Sequence, residues 1–124
     1  MNIESYREYC LSKAHTTESF PFDEDVLVFK VANKMFALTS LKKWEEGDTS
    51  VNLKCDPDWA LELRGQYEQS IIPGYHMSKV HWNTVNITNG ELSEDFIKEL
   101  IDHSYHLVVK SLTKKLQREL GFIE

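Results

Sequence analysis

The sequence predicts an α+β fold in which an antiparallel sheet is covered by helices on one face. Three observations predict it. Short β-rich runs occupy the middle of the chain, segments with apolar residues at helical spacing flank them, and tight-turn signals join successive runs. The predicted order is helix, hairpin, strand, helix, strands and helix, within a single domain of residues 1–124.

A β-hairpin is predicted in the first half of the chain. VLVFKV (residues 26–31) and KMFALTS (residues 34–40) are separated only by Ala32-Asn33, and Asn tolerates the positive φ of a tight turn. Pairing Val31 with Lys34 sets the register. Strict alternation then places one apolar set on the core face, namely Leu27, Phe29, Phe36 and Leu38. The opposite, mixed set is expected to meet solvent: Val28, Lys30, Met35, Ala37 and Thr39.

The other elements follow from periodicity and caps. Residues 3–14 have helical spacing, and VNLKC (residues 51–55) alternates as a third strand. Asp56-Pro57 is a helix start, because Asp accepts from free N–H groups and Pro fits the first turn. Residues 75–87 are predicted to form one long strand or two short ones. Ser93 is the expected N-cap of the last long helix, which a short basic segment follows.

Composition restricts the class of protein. Hydrophobic residues make up 41% of the chain and charged residues 27%, which is typical of a folded domain. The N-terminal MNIESYREYC lacks a secretory pattern, so Cys10 and Cys55 are expected to be buried, reduced thiols. The longest apolar runs are far too short to span a bilayer. We therefore expect a cytoplasmic protein with no membrane partner.

The charge is unevenly distributed along the chain. The net charge of −6 disfavours a polyanionic partner, yet three predicted sheet segments (residues 26–43, 49–55 and 71–90) contain no Asp or Glu. They contain six lysines: Lys30, Lys34, Lys42, Lys43, Lys54 and Lys79. Two explanations stay open. Strands generally disfavour Asp and Glu, or the positive sheet face attracts a phosphate backbone through its local potential.

The segment at residues 75–86 is the richest in binding chemistry. Aromatic rings stack on bases, lysine meets phosphate and asparagine can read adenine edges. The candidate nucleic-acid contacts are Lys30, Lys54, Tyr75, His76, Lys79, His81, Trp82 and Asn83. In the alternative interpretation, Trp82 and Tyr75 are core aromatics beside a hairpin. They could also form a pocket near Trp82 in a module that binds a protein or a small ligand.

Catalytic and metal-binding patterns are absent from the sequence. There is no P-loop, G-x-S-x-G, G-x-G-x-x-G or H-E-x-x-H motif, so no catalytic residue and no cofactor are expected, and the protein is not expected to be an enzyme. His76 and His81 have no Cys or acidic neighbour to complete a zinc site. The acidic residues 23–25 favour a solvated turn over a cation site, and no metal is expected.

Several segments resemble the MmcQ/YjbR family across nearly the whole chain. They are FPF (20–22), LVFKV (27–31), KMFALTS (34–40), VNLKCDP (51–57), IPGYHMSKVHWNTV (72–85) and ELIDHSYHLVV (99–109). The chain departs from the family at Lys13-Ala14-His15, where members often have Leu-Pro-Gly, and at Thr113, where Pro often precedes the final Lys pair.

The resemblance implies a YjbR/CyaY-like fold, related to frataxin, and a "double wing" DNA-binding domain without enzymatic activity. The family motif falls on Gly74, Tyr75, His76, Met77, Lys79, His81, Trp82, Asn83 and Thr84. DNA is thus the expected partner and another protein the alternative. The sequence indicates neither an oligomeric state nor a cognate DNA sequence.

Overall fold

A computed structural model describes all 124 residues as a six-stranded antiparallel sheet with five helices. The strand order across the sheet is β1-β2-β3-β4-β6-β5. In chain order, the elements are α1 (Ile3–Leu11), β1 (Thr16–Ser19), β2 (Val26–Val31), β3 (Lys34–Ser40), α2 (Leu41–Glu45), β4 (Ser50–Lys54), α3 (Pro57–Gln66), β5 (Ile71–Pro73), β6 (Trp82–Asn86), α4 (Glu94–Ser111) and α5 (Lys114–Glu119).

The helices pack against one face of the sheet, so the predicted α+β architecture is confirmed. One core cluster of 22 buried residues joins the strands to α1, α3 and α4. At its centre, Phe29 contacts Tyr6 edge-on with ring centroids 5.6 Å apart, and Phe36 contacts Tyr105 edge-on with ring centroids 5.3 Å apart. We call the opposite side of the sheet the open face. None of the five helices has the length and apolarity needed to cross a membrane.

The predicted helix starts are confirmed. The Asp56 carboxylate accepts the backbone N–H of Trp59 at 3.2 Å, and Pro57 is the first residue of α3. The hydroxyl of Ser93 accepts the N–H of Phe96 at 3.1 Å at the start of α4. The first helix ends at Leu11 and not at residue 14, because the chain turns there and His15 adopts a positive φ of 60°.

The predicted hairpin is confirmed, but its face assignment is wrong beyond Phe36. Ala32 and Asn33 both have positive φ, and Val31 pairs with Lys34. Phe29 then pairs with Ala37 while Lys30 pairs with Met35, so Phe36 is the extra residue of a β-bulge. A bulge reverses the alternation of side chains that follow it. Leu38 therefore lies on the open face, opposite the face predicted, whereas Ala37 and Thr39 lie on the covered face.

The chain also differs from the prediction in three segments. The strand β1 and the short helix α2 were not predicted, since TTES and LKKWE are polar and show no clear apolar period. The predicted long strand at residues 75–87 is a strand only from Trp82 to Asn86. Residues 74–81 instead form a turn-rich loop, which we call the 74–81 loop, between β5 and β6.

Candidate sites on the open face of the sheet

Side chains on the open face lie in rows that cross the strands. One row consists of two separate pairs, Lys30 with Met35 and Lys54 with Trp82, and it is interrupted between β3 and β4, where the register places Lys54 opposite Phe36. The next row joins Val28, Leu38, Asn52 and Thr84 through pairings between neighbouring strands. The face is therefore cationic along one row and apolar to polar along the next.

Three lysines line one groove, which we call the lysine groove. Lys30 on β2, Lys34 at the start of β3 and Lys54 on β4 reach it from three strands. The groove encloses about 510 Å³, and its other lining residues are Phe22, Asn33, Met35, Trp82, Val108 and Ser111. No carboxylate is among the lining residues. Half of the six lysines of the acid-free segments thus converge on one site.

The groove has a large exposed ring and a basic extension at its rim. Phe22 is 63% exposed, so its ring is accessible from solvent. The ammonium of Lys34 lies 3.5 Å from the hydroxyl of Ser111, the last residue of α4. Lys110 and Lys114, both exposed, are within three residues of Ser111. The basic segment near the C-terminus therefore begins beside the groove.

Trp82 lines the groove, but its indole is not a free stacking surface. The residue is only 7% exposed and packs in a small apolar cluster with Val28 and Leu38, against which Met77 also packs. Gly74 lies against it, because a Cβ there would be 2.8 Å from the Trp82 Cβ. The role expected for Trp82, stacking on bases, is thus corrected to that of a wall of the groove.

Asn83 does not contact the open face, so its expected role as a nucleic-acid contact is wrong. It pairs with Leu53, faces the helices and is 2% exposed. Its Oδ1 accepts the Nε–H of Arg64 at 2.7 Å. The same guanidinium donates to the backbone carbonyls of Lys79 and Trp82. Asn83 and Arg64 therefore anchor the 74–81 loop to helix α3.

The other candidate residues of this segment are exposed on the 74–81 loop and lie outside the lining of the lysine groove. Lys79 and His81 face solvent, and the ammonium of Lys79 lies 3.4 Å from the carbonyl of Gly74. Tyr75 and His76 line a second concavity on the open face, which we call the Tyr75 cavity. The candidate contacts are thus divided between two places instead of forming one surface.

The Tyr75 cavity encloses about 310 Å³ between the 74–81 loop and helix α2. Its lining residues are Asp25, Val26, Leu38, Thr39, Ser40, Lys43, Asp48, Ser50, Asn52, Ile72, Tyr75, His76 and Thr84. The ammonium of Lys43 lies over the ring of Tyr75, 4.2 Å from its centroid. Trp82 is not among these residues, so the pocket expected near Trp82 lies instead beside Tyr75, one row of the sheet away.

The acidic residues before β2 have structural partners. Asp23 accepts the backbone N–H groups of Asp25 and Val26, each at 2.8 Å. Asp25 accepts the hydroxyl of Ser40 at 2.5 Å and the N–H of Lys42 at 2.6 Å. The bond from Ser40 is the main reason why the pKa of Asp25 lies below its ordinary value. These contacts fix the start of β2 against α2.

Both cysteines are free and buried, as expected from the sequence. Burial raises the pKa of the Cys10 thiol and of the Cys55 thiol to about 12. Neither sulfur is therefore ionised near neutral pH, the state in which a thiol acts as a nucleophile.

Sequence reasoning missed three residues that shape these sites. Lys34 and Phe22 were recognised within their segments but not as site residues, because only the fold brings them beside Lys30 and Lys54. Arg64 was missed because an arginine on a helix has no local signal for a partner nineteen residues away. The Arg64–Asn83 bond depends on tertiary packing and could not be inferred from spacing.

The fold and the two concavities define an α+β domain whose helices pack mainly against one face of its sheet. The YjbR family model matches residues 11–107. The uncharacterized protein YbdF from Escherichia coli O157:H7 is 41% identical over 101 residues, which span 82% of this chain and 79% of YbdF. The uncharacterized protein YjbR from Escherichia coli strain K12 is 32% identical over 120 residues, 97% of this chain and 98% of its own.

Solved structures give the same family assignment. The crystal structure of Deinococcus radiodurans protein DR2400, described as a DUF419 domain, has a TM-score of 0.89 at 39% identity and covers 97% of this chain and 88% of its own. A crystal structure of a Pseudomonas syringae protein has a TM-score of 0.68 at 30% identity and covers 86% of this chain and 98% of its own. The chain belongs to the YjbR family, a domain family of unknown function.

Proposed function

We propose that this protein is a DNA-binding module without catalytic activity that holds the phosphate backbone in the lysine groove. The main support is the convergence of Lys30, Lys34 and Lys54 on a groove with no carboxylate in its lining. Ammonium groups that project from separate β-strands can contact different phosphates of one nucleic-acid chain. The resemblance to the MmcQ/YjbR family implies the same kind of partner.

Local potential explains how an acidic protein could bind a polyanion. Screening at physiological ionic strength restricts charge interactions to roughly 8 Å, so the groove responds to its own lysines more than to distant acids. The overall charge of −6 still opposes approach from far away. We therefore expect weak binding that is favoured by low salt.

The groove also offers an aromatic contact for bases. Phe22 is the most exposed ring in its lining, whereas Trp82 is almost covered. Base stacking on an exposed ring contributes about 1–3 kcal/mol per base. Phe22 thus replaces Trp82 as the residue proposed to stack on an unpaired or frayed base.

The test is a salt titration of binding to labelled DNA, single-stranded and duplex, measured by fluorescence anisotropy. Each neutralised phosphate contributes a slope of about −0.9 in log affinity against log salt for duplex DNA, so three lysine contacts give roughly −2.7. Replacing Lys30 or Lys54 by Gln should weaken binding and reduce the slope by about one contact.

Lys42→Gln is the matched control, because Lys42 is exposed on α2 and does not line the groove. It removes the same charge and should leave the salt slope unchanged. Equal losses from Lys42→Gln and Lys54→Gln would show that only overall charge matters. Absence of binding at low salt to either form of DNA would refute the proposal.

A further inference from the structure

We infer that the Tyr75 cavity binds a small zwitterion of the size of an α-amino acid, with its carboxylate at Lys43 and its ammonium between Asp25 and Asp48. The cavity shares no lining residue with the lysine groove, so this inference does not depend on DNA binding. Its volume of about 310 Å³ is at the lower end of what small-ligand sites enclose.

Charges of both signs line the cavity without a direct ion pair between them. Lys43 forms no ion pair: the two ion pairs of this structure are Arg7–Glu18 and Lys13–Asp102. A purely anionic ligand would meet the carboxylates of Asp25 and Asp48, and a purely cationic one would meet Lys43. A molecule with one charge of each sign satisfies both ends of the cavity, since opposite charges attract at short range.

The floor of the cavity offers hydrogen bonds and a small apolar patch. Thr84 accepts the N–H of Tyr75 at 2.9 Å and donates its hydroxyl proton to Asn52 Oδ1 at 2.5 Å. This chain of bonds leaves the amide NH₂ of Asn52 available as a donor to a ligand carboxylate. Val26 and Leu38 provide aliphatic surface beside it, which suits an aliphatic side chain.

The wall of the cavity disfavours ligands that bind by stacking. The ring of Tyr75 already contacts the ammonium of Lys43 and the imidazole of His76, whose centroid is 4.0 Å away. His76 has a φ of +58°, a backbone conformation that L residues rarely adopt. Because the ring of Tyr75 already contacts Lys43 and His76, a sugar or a nucleobase would have to displace these groups to stack on it, whereas a zwitterion does not need the ring and binds the Lys43 ammonium through its carboxylate.

The experiment is an NMR titration of the ¹⁵N-labelled protein with L-leucine and with glycyl-leucine, which distinguish a free amino acid from a short peptide. N-acetyl-leucine and leucinamide each lack one of the two charges. At least one zwitterion should shift the amides of Asn52, Tyr75 and Thr84 in a saturable way. The single-charge analogues should bind about tenfold more weakly or worse, as expected when one ionic contact of about 1.4 kcal/mol is lost.

Lys43→Gln and Asp48→Asn should each reduce affinity about tenfold, while Lys42→Gln and Lys30→Gln should not change it. Lys42 neighbours Lys43 in sequence but does not line the cavity, and Lys30 lines only the groove. Three results would overturn the inference: no saturable shift with either zwitterion, equal binding of the single-charge analogues, or shifts centred on Lys30 and Lys54.

Discussion

Ser104 is expected to stabilise the sheet through its buried hydroxyl. Phe36 and Lys54 would be the next pair of the β3–β4 register after Ala37 and Leu53. The Ser104 hydroxyl lies between them: it donates to the carbonyl of Phe36 at 2.5 Å and accepts the N–H of Lys54 at 2.8 Å. Ser104 is fully buried, so water does not reach these groups from its side. Ser104→Ala therefore removes the partner of two backbone groups.

The magnitude follows from those two groups. A buried backbone donor or acceptor without a partner destabilises the fold by about 1–3 kcal/mol. Alanine favours the helix over serine by roughly 0.5 kcal/mol, which offsets a little of the loss. The two groups together cost about 2–6 kcal/mol, so we expect Ser104→Ala to lower the free energy of unfolding by about 1.5–5.5 kcal/mol.

Urea denaturation followed by tryptophan fluorescence measures this change. The slope of the free energy of unfolding against urea concentration should be the same in the variant and the natural protein. Ser111→Ala is the matched control, because Ser111 is exposed at the end of the same helix and its hydroxyl donates to the carbonyl of Val108. The control should change stability by less than about 0.5 kcal/mol. If Ser104→Ala changed stability no more than the control, the hydroxyl would not be supporting the bulge.

Three further predictions concern the loop and the interface between α3 and α4. Arg64→Met should lower the free energy of unfolding by about 2–3 kcal/mol, because the buried Asn83 oxygen loses a charged donor, and hydrogen exchange should quicken in the 74–81 loop. Gly74→Ala should destabilise by about 1–3 kcal/mol in the same denaturation assay, since its Cβ would overlap Trp82, whereas Gly65→Ala, with open space around it, should not. Burial is the first cause that lowers the pKa of His103 below 6.5, and its Nε2 accepts the N–H of Asp56. The unfolded chain then binds the proton more readily, so stability should be full above pH 6.5 and fall as the pH drops below it. Urea unfolding at several pH values should show this loss in the natural protein and a weaker one in His103→Gln.

The elements that could be predicted are those with a local physical cause. Asp56-Pro57 and Ser93 begin helices because their side chains accept free N–H groups of the first turn, whatever the rest of the chain does. Ala32-Asn33 forms the hairpin turn because two residues between β-rich runs leave little choice of geometry. Strand β1 was not predictable, because its polar sequence TTES is held in the sheet by pairing with β2.

The candidate site was predictable in composition but not in arrangement. Lys30 and Lys54 were placed on the open face by alternation, and the structure brings them together with Lys34 in one groove. Asn83 was expected there because it follows Trp82 in a motif rich in binding chemistry. Its position depends on alternation within β6, which begins at Trp82, and on Arg64 reaching it from α3. A segment treated as one surface is therefore divided between a loop and two faces of a strand.

The bulge at Phe36 determines how the open face is divided. Without the extra residue, alternation would place Leu38 in the core and Ala37 and Thr39 on the open face. With it, Leu38 joins Val28 and Trp82 in an apolar cluster on the open face. By register, the row of Leu38 lies beyond the row of Lys30 and Lys54, so this cluster separates the lysine groove from the polar floor of the Tyr75 cavity.

This separation makes the two proposals independent in experiment. Lys30→Gln changes the charge of the groove and leaves the lining of the cavity intact, and Lys43→Gln does the reverse. Charges on opposite sides of the cluster interact weakly at physiological salt, since screening acts over roughly 8 Å. In the double variant, the DNA affinity should therefore equal that of Lys30→Gln and the zwitterion affinity that of Lys43→Gln, each within about 0.5 kcal/mol. A larger difference in either assay would mean that the groove and the cavity act as one continuous site.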